Sequence, residues 1–351
     1  MPRDPTIRTS GTVGAVAAVG WLLSGLLRAI VAGSSFGSGS LAELLVPGTG
    51  GALLRTGAPL SVVAGLAGAL AVGAVTGLLT YAVVRRPPGR AGVLLACWFA
   101  AVLGSVLGQL VSAAIAPGTA WLTVGNDVQS ALWAGPYWGV VYGWAVGQAA
   151  VALLRRSGVT LVPAAAARAR GAALVAGAVV GLGWVVTGLL QRGIVDALGP
   201  GGGSAARIVP VLLPNTATDY LSGGTPEVTV AFGLAALVVG TVAGVVTWVA
   251  ARSADPAAGR TAFVLAAWLG AVLGSSLGPA LTALGYAVGV GGRGLSPALV
   301  LNVLAAGVPT SALWGVLYGW LGAVAALVVL GRARRRVRPA GAQARQPAHR
   351  A

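Results

Sequence analysis

Long apolar runs alternate with short polar links along most of this chain, and the alternation predicts a bundle of membrane-spanning helices. A helix that crosses about 30 Å of hydrocarbon needs roughly 20 predominantly apolar residues, because each residue advances the helix by about 1.5 Å. Eight segments meet that requirement. The predicted spans are Val13 to Val31, Leu60 to Val84, Val93 to Ile115, Ser130 to Leu154, Ala172 to Ile194, Val230 to Ala251, Thr261 to Val288 and Ser311 to Leu330.

Arginine is concentrated in alternate links, which predicts how the helices are oriented. Positive charge is retained on the cytoplasmic side of a membrane. One side carries the N-terminus, the links around Arg86, Arg156 and Arg260, and the tail from Arg332 onwards, whereas the other side carries most of the acids. We therefore predict that both termini lie in the cytoplasm. A cleaved signal peptide is disfavoured, because the first span is long and contains Arg28.

The third and seventh predicted spans contain nearly the same sequence, as do the fourth and eighth. Trp98 to Gly108 reads WFAAVLGSVLG and Trp268 to Gly278 reads WLGAVLGSSLG, with eight identical residues in eleven. WGVVYGW, which begins at Trp138, matches WGVLYGW, which begins at Trp314, at six of seven positions. Self-similarity at this spacing predicts a tandem duplication. A short match of SALW gives a competing local offset, and we prefer the longer matches.

Each repeat contains an even number of helices, so both repeats enter the membrane in the same direction. The predicted fold is an all-α integral membrane protein with eight transmembrane helices, built as two parallel four-helix repeats related by a pseudo-two-fold axis along the membrane normal. The predicted divisions are a cytoplasmic N-terminus (1–10), repeat 1 (11–156), a cytoplasmic linker (157–170), repeat 2 (171–331) and a disordered Arg-rich cytoplasmic tail (332–351). The outer connections, roughly residues 33 to 59 and 197 to 229, either cover the surface or dip into the bundle.

The composition excludes a water-soluble fold, since 56% of the residues are hydrophobic and only 9% are charged. The net charge of +16 comes from arginine alone. Arginine clusters can bind nucleic acid, but here they lie between apolar segments, so we predict no nucleic-acid partner. Anionic lipid headgroups are the predicted partners of the Arg-rich tail. The lysine-free composition, rich in Ala, Gly and Val, is typical of a GC-rich bacterial genome and places the chain in the bacterial cytoplasmic membrane.

Few residues could carry catalysis or bind a metal. The one cysteine, Cys97, lies in an apolar run, and the one histidine, His349, is close to the C-terminus. No metal site, cofactor or catalytic residue is predicted, because neither a metal-ligand spacing nor a nucleophile motif occurs. An enzyme that acts on lipid would have to use acids in the outer loops, which are Glu43, Asp127, Asp219 and Glu227.

Small residues spaced four apart predict close helix packing, because glycine lets two backbones approach each other in lipid. An oligomer or partner interface is the alternative interpretation of the same faces. The predicted packing glycines are Gly104, Gly108, Gly139, Gly143, Gly274, Gly278, Gly315 and Gly319. The tryptophans are predicted to form an interfacial belt near the outer surface, as Trp133, Trp138 and Trp314 do by position, and to fill space against glycine deeper in the membrane.

Five polar residues in or near the spans are candidate solute contacts. Arg28 and Arg192 lie near the outer ends of their helices and either snorkel to the surface or, together with Gln191, bind an anion at the outer mouth. Gln109 and Gln148 are costly to leave unpaired and are predicted to face protein or water. They are compatible with a lining for a neutral or anionic solute.

Two functional hypotheses follow from these features. The first is a permease or channel that moves a small neutral or anionic solute along the interface between the repeats. The second is a non-transporting scaffold or accessory subunit of an envelope or transport complex, which binds a partner membrane protein or a second copy of itself. A half-to-half interface packed with apolar side chains from end to end would argue against the first.

Overall fold

The computed structural model describes residues 4–32, 45–50, 58–86, 88–116, 121–161, 169–199, 203–215, 226–253, 259–290 and 297–337. Regular structure in these residues is entirely helical. The helices are α1 Pro5–Ala32, α2 Pro59–Val84, α3 Arg90–Ile115, α4 Trp121–Arg156, α5 Ala169–Leu198, α6 Gly203–Leu212, α7 Pro226–Ser253, α8 Arg260–Val290, α9 Pro297–Tyr318 and α10 Trp320–Val337.

Seven helices are long and apolar enough to cross a membrane: α1 to α5, α7 and α8. The α6 helix is too short to do so. An eighth crossing results if α9 and α10 are counted together, since they form a pair bent by 40°. The prediction of a polytopic helical membrane protein is thereby confirmed. The Arg-rich tail was assigned to residues 332–351, and its part after residue 337 lies outside the described residues.

The eighth predicted span, Ser311 to Leu330, consists of two helices, because the helix is interrupted at Gly319. The Trp268 indole N–H reaches the carbonyl oxygens of Gly315 and Val316 at 3.0 and 3.1 Å. A side chain that competes for carbonyls in the helical ladder is a recognised cause of a kink. The α4 helix continues without a break past the matching position, where the Trp98 indole bonds only the Gly139 carbonyl, at 2.8 Å.

Two helices begin well before their predicted spans. The α1 helix begins at Pro5, and α4 begins at Trp121. Hydrophobicity marks where a helix enters hydrocarbon, whereas the helix itself can extend further into the polar region. At α1 the extension is capped by the carboxylate of Asp4, which accepts a hydrogen bond from the Thr6 N–H at 2.9 Å.

Each half of the chain packs largely on itself. In the first half α2 packs against both α1 and α3, and α4 packs against α3 and α1. In the second half α7 packs against α5 and α8, while α9 contacts α8 and α10 contacts α5. The two halves meet chiefly through α3 against α8, with α4 against α9 beside that contact.

Glycine sets the spacing between α5 and α7, and likewise between α1 and α2. A Cβ atom on Gly177 would lie 2.6 Å from the carbonyl oxygen of Gly240, which is closer than real Cβ contacts. In the first half, a Cβ on Gly14 would overlap the carbonyl oxygen of Gly73. Both helix pairs therefore approach backbone to backbone, and no larger residue fits at these positions without separating the helices.

Candidate functional site

A segment between α1 and α2 turns inward and packs inside the bundle. Residues Pro47, Thr49 and Gly50 are buried. The Thr49 hydroxyl donates to the Trp21 carbonyl oxygen at 2.7 Å, which ties the loop to the backbone of α1. The Gln109 side-chain amide donates to the Gly48 carbonyl oxygen at 2.9 Å. Residues 45–50 therefore form a plug at the end of the first half where α1 ends and α2 begins.

Residues 213–215 form a second plug in the other half. Asn215 is fully buried, and its amide donates to the Trp184 carbonyl oxygen at 2.8 Å. The Tyr318 hydroxyl donates to the Leu212 carbonyl oxygen, and in the first half the Tyr142 hydroxyl donates to the Leu45 carbonyl oxygen. Of the two predicted arrangements of the outer connections, these described parts dip inward.

The five candidate solute contacts do not converge on one place. Gln109 holds the first plug, and Gln191 is buried in α5. Arg192 forms a surface ion pair with Asp196 at 3.4 Å, one turn away along the same helix. Arg28 is half-buried and makes a polar contact. Gln148 is exposed on the surface of α4.

The interface between the halves is packed with apolar side chains in the described residues. The ring centroids of Phe99 and Trp268 are 4.8 Å apart across it. Around this pair, one continuous core contains Val102 from α3 together with Leu269 and Val272 from α8, all of which are buried. This interface is where the permease hypothesis placed its solute path, and around this pair the described side chains pack directly against one another.

Two predictions about tryptophan were wrong. Trp138 and Trp314 were assigned to an interfacial belt, but they are only 2% and 1% exposed. Their rings lie beside Gly20 and Gly183, where a Cβ would be 3.6 and 3.8 Å from the ring. Trp144 and Trp320, six residues further along the same two sequence matches, are about half exposed.

The eight predicted packing glycines all lie against neighbouring atoms. A Cβ on Gly139 would overlap the Cα atom of Val102, and a Cβ on Gly315 would overlap the Cα atom of Val272. For Gly274 the nearest atom would be the Val239 carbonyl oxygen at 2.5 Å. A Cβ on each of the other five would have a neighbouring atom within 3.2 Å, and these glycines are Gly104, Gly108, Gly143, Gly278 and Gly319.

Three of the cavities among the described residues open on the surface. The first, about 810 Å³, is an apolar groove between α5 and α7, with Leu174 and Leu237 on its walls and Arg170 at one end. A second, about 510 Å³, follows the C-terminal end of α5. The third, about 390 Å³, lies at the arginine-rich end between α2 and α8. None of these three cavities is lined by the five candidate solute contacts.

The outer-loop acids proposed for lipid chemistry lie beyond what the structure describes. Glu43 and Asp219 fall outside the described residues, and for Asp127 and Glu227 only the helical backbone is described. Within the described residues, no group of three or more His, Cys, Asp or Glu side chains is placed to hold a metal ion.

The fold and these surfaces define the class of the protein as a polytopic, all-helical membrane protein. No protein-family model matches the chain, and neither a curated protein nor a solved structure shows significant similarity to it.

Proposed function

We propose that the chain is a bacterial cytoplasmic-membrane protein that crosses the bilayer eight times with both termini in the cytoplasm. Its two halves, 11–156 and 171–331, are proposed to be same-orientation repeats joined by a cytoplasmic linker. Contacts at matching positions support this proposal. Trp98 and Trp268 each donate to a glycine carbonyl of the following span, and Arg85 and Arg252 each stack on an aromatic ring one turn earlier.

Within that architecture, a non-transporting scaffold or accessory subunit is the function that the geometry supports best. The observation that carries the proposal is the packed interface between the halves, centred on Phe99 and Trp268. A solute path along it would require these rings and the surrounding core to separate, which exposes closely packed apolar surface. The plugs at the outer ends of the two halves point the same way, because each is tied to a helix backbone by buried hydrogen bonds.

The groove between α5 and α7 is the surface proposed to contact a partner membrane protein or a second copy of the chain. Leucines form its walls, with Leu174 and Leu237 about three-quarters and two-thirds exposed, and glycines line its floor. Helices in lipid associate by dispersion where small residues permit close approach, so a leucine-walled, glycine-floored groove suits an incoming helix.

Site-specific photocrosslinking in native membranes tests this function. A photoreactive residue at Leu237, on the groove wall, should give one reproducible adduct with a protein or with a second copy. The matched control is Val328, which is exposed on α10 away from the groove and should give lipid adducts only. The Leu237 adduct should disappear with Gly233→Trp, which fills the groove at a glycine that has open space around its Cβ position. Lipid adducts alone at both positions would reject the scaffold role.

A permease remains the second candidate, because the interrupted span at Gly319 is a specific feature in its favour. Transporters often place their solute sites where transmembrane helices are discontinuous. The break adjoins Trp268, whose indole bonds the carbonyl oxygens on its α9 side. Swelling of proteoliposomes in a graded series of neutral and anionic solutes decides between the candidates. Saturable uptake of one solute that empty liposomes do not show would establish the permease and displace the scaffold proposal.

A further inference from the structure

The cavity between α2 and α8 is strongly cationic. Three of its eight lining residues are arginines: Arg85 and Arg86, which follow α2, and Arg260, the first residue of α8. The remaining lining residues are Ala82, Val83, Gly259, Thr261 and Ala262. We call this cavity the α2–α8 pocket. Its volume of about 390 Å³ leaves room for a small ligand group.

Among its described lining residues, the α2–α8 pocket has charged groups of one sign only. Arg85 is held on α2, because its guanidinium carbon lies 5.6 Å from the centre of the Tyr81 ring. The start of α8 adds the partial positive charge of a helix N-terminus and N–H groups that have no partner within the helix. The first turn of α8 contains no acid to offset them, and its first residue is Arg260. All three arginines are exposed, so water screens their mutual repulsion, and an anion bound beside them would lower it further.

The corresponding place in the other half is closed. There Arg252 lies 4.8 Å from the Trp248 ring centre, as Arg85 lies over Tyr81. The Gly89 N–H donates to the Ser253 carbonyl oxygen at 2.5 Å, which joins the end of α7 directly to the start of α3. The internal sequence similarity aligns Gly259 with Gly89 and Arg86 with Ser253, yet Gly259 and Arg86 line a cavity. At the α2–α8 pocket, Arg86 therefore takes the position that Ser253 has in the closed junction, and the space between the two helices is open.

We propose that the α2–α8 pocket binds a phosphate group. Arginine presents a planar fork of donors that pairs with two phosphate oxygens at once, and a helix N-terminus offers further N–H donors to the same anion. Two sources carry this chemistry at the arginine-rich end of the bundle: the headgroup of an anionic lipid, and a soluble phosphate compound. The pocket is distinct from the groove between α5 and α7, so the proposal does not depend on the scaffold role.

The test uses the full-length protein in nanodiscs made of phosphatidylcholine alone. One arm measures binding of radiolabelled inorganic phosphate by equilibrium dialysis. The other arm titrates spin-labelled phosphatidylglycerol and measures the immobilised fraction. Arg260→Gln is the test variant, and Arg90→Gln is its matched control, because both arginines are exposed first residues of matching helices. Inaccessibility of the buried Cys97 to a thiol dye shows that each variant is folded.

We expect Arg260→Gln to weaken binding about tenfold, since a charged hydrogen-bonded pair is worth more than about 1.4 kcal/mol. Arg90→Gln should change the binding constant by no more than about twofold. Inorganic phosphate binding with that contrast identifies a soluble phosphate compound as the ligand. Lipid immobilisation alone with that contrast identifies a lipid headgroup. Binding of neither probe overturns the proposal, as would happen if Asp255, in the link outside the described residues, neutralised the pocket. Equal loss in both variants overturns it too, because the arginines would then act only as a diffuse charged surface.

Discussion

Replacing Gly177 by alanine should destabilise the protein through the contact of α5 with α7. The new Cβ would lie 2.6 Å from the Gly240 carbonyl oxygen, whereas ordinary contacts begin at 3.4 Å. The helices must therefore separate by about 0.8 Å at this point, and a gap of that size forfeits roughly a quarter to a half of each dispersion contact beside it. Overpacking of this kind costs about 1–3 kcal/mol.

Gly193→Ala is the control, because Gly193 lies on the same helix and has open space around its Cβ position. Alanine favours a helix over glycine by about 1 kcal/mol, and this gain is common to both variants. The difference in unfolding free energy between the two variants should thus be about 1–3 kcal/mol, with Gly177→Ala the less stable. The first half offers the same comparison, in which Gly14→Ala clashes and Gly11→Ala does not.

Cys97 provides the assay, because it is the only cysteine and is fully buried in α3. A dye that fluoresces on reaction with a thiol reports unfolding as sodium dodecyl sulfate is added to the protein in mild detergent. Gly177→Ala should react at a lower dodecyl sulfate fraction than Gly193→Ala. Identical unfolding curves for these two variants would refute the close backbone approach of α5 and α7.

Three further predictions concern the plugs and the interface. Asn215→Ala should lower the unfolding free energy by about 1–3 kcal/mol in the thiol-dye assay, because it removes the hydrogen bond that Asn215 donates to the buried Trp184 carbonyl at 2.8 Å. The control is Asp196→Ala, which removes an exposed ion pair and should change the unfolding free energy by less than about 1 kcal/mol. Phe99→Ala should lower the unfolding free energy by about 3–5 kcal/mol in the same assay, since it removes a fully buried ring at the interface between the halves. A decrease of less than about 1 kcal/mol would contradict that burial. Trp268→Phe should straighten the bend at Gly319, because it removes the indole N–H that bonds two α9 carbonyls; spin-label distances between positions 311 and 328 should lengthen, and an unchanged distance would assign the bend to another cause.

The membrane-spanning helices could be predicted from the sequence because length and apolarity alone decide them. Lipid and protein interior are both apolar, so little in the pattern tells which face of a helix turns inward. For this reason Trp138 was placed in the belt although it is buried. The glycine of α1 that lies beside the Trp138 ring, Gly20, was the available signal.

Long-range hydrogen bonds account for most of the other differences. Thr49 and Asn215 bond tryptophan carbonyls 28 and 31 residues earlier in the chain, and no local pattern encodes such a pairing. The bend at Gly319 is similarly hidden, since WGVLYGW differs from WGVVYGW of the unbroken α4 at one position only. The α2–α8 pocket was missed because its arginines were interpreted only as markers of orientation.

The most direct test of the proposed architecture is the side of the membrane on which three links lie. Single cysteines at positions 86, 158 and 199, in a Cys97→Ala background, can be labelled in intact cells and in inverted vesicles with a thiol reagent that does not cross the membrane. The eight-span arrangement predicts labelling of positions 86 and 158 only from the cytoplasmic side, and of position 199 only from the outside. Labelling of positions 86 and 199 from one common side would contradict it.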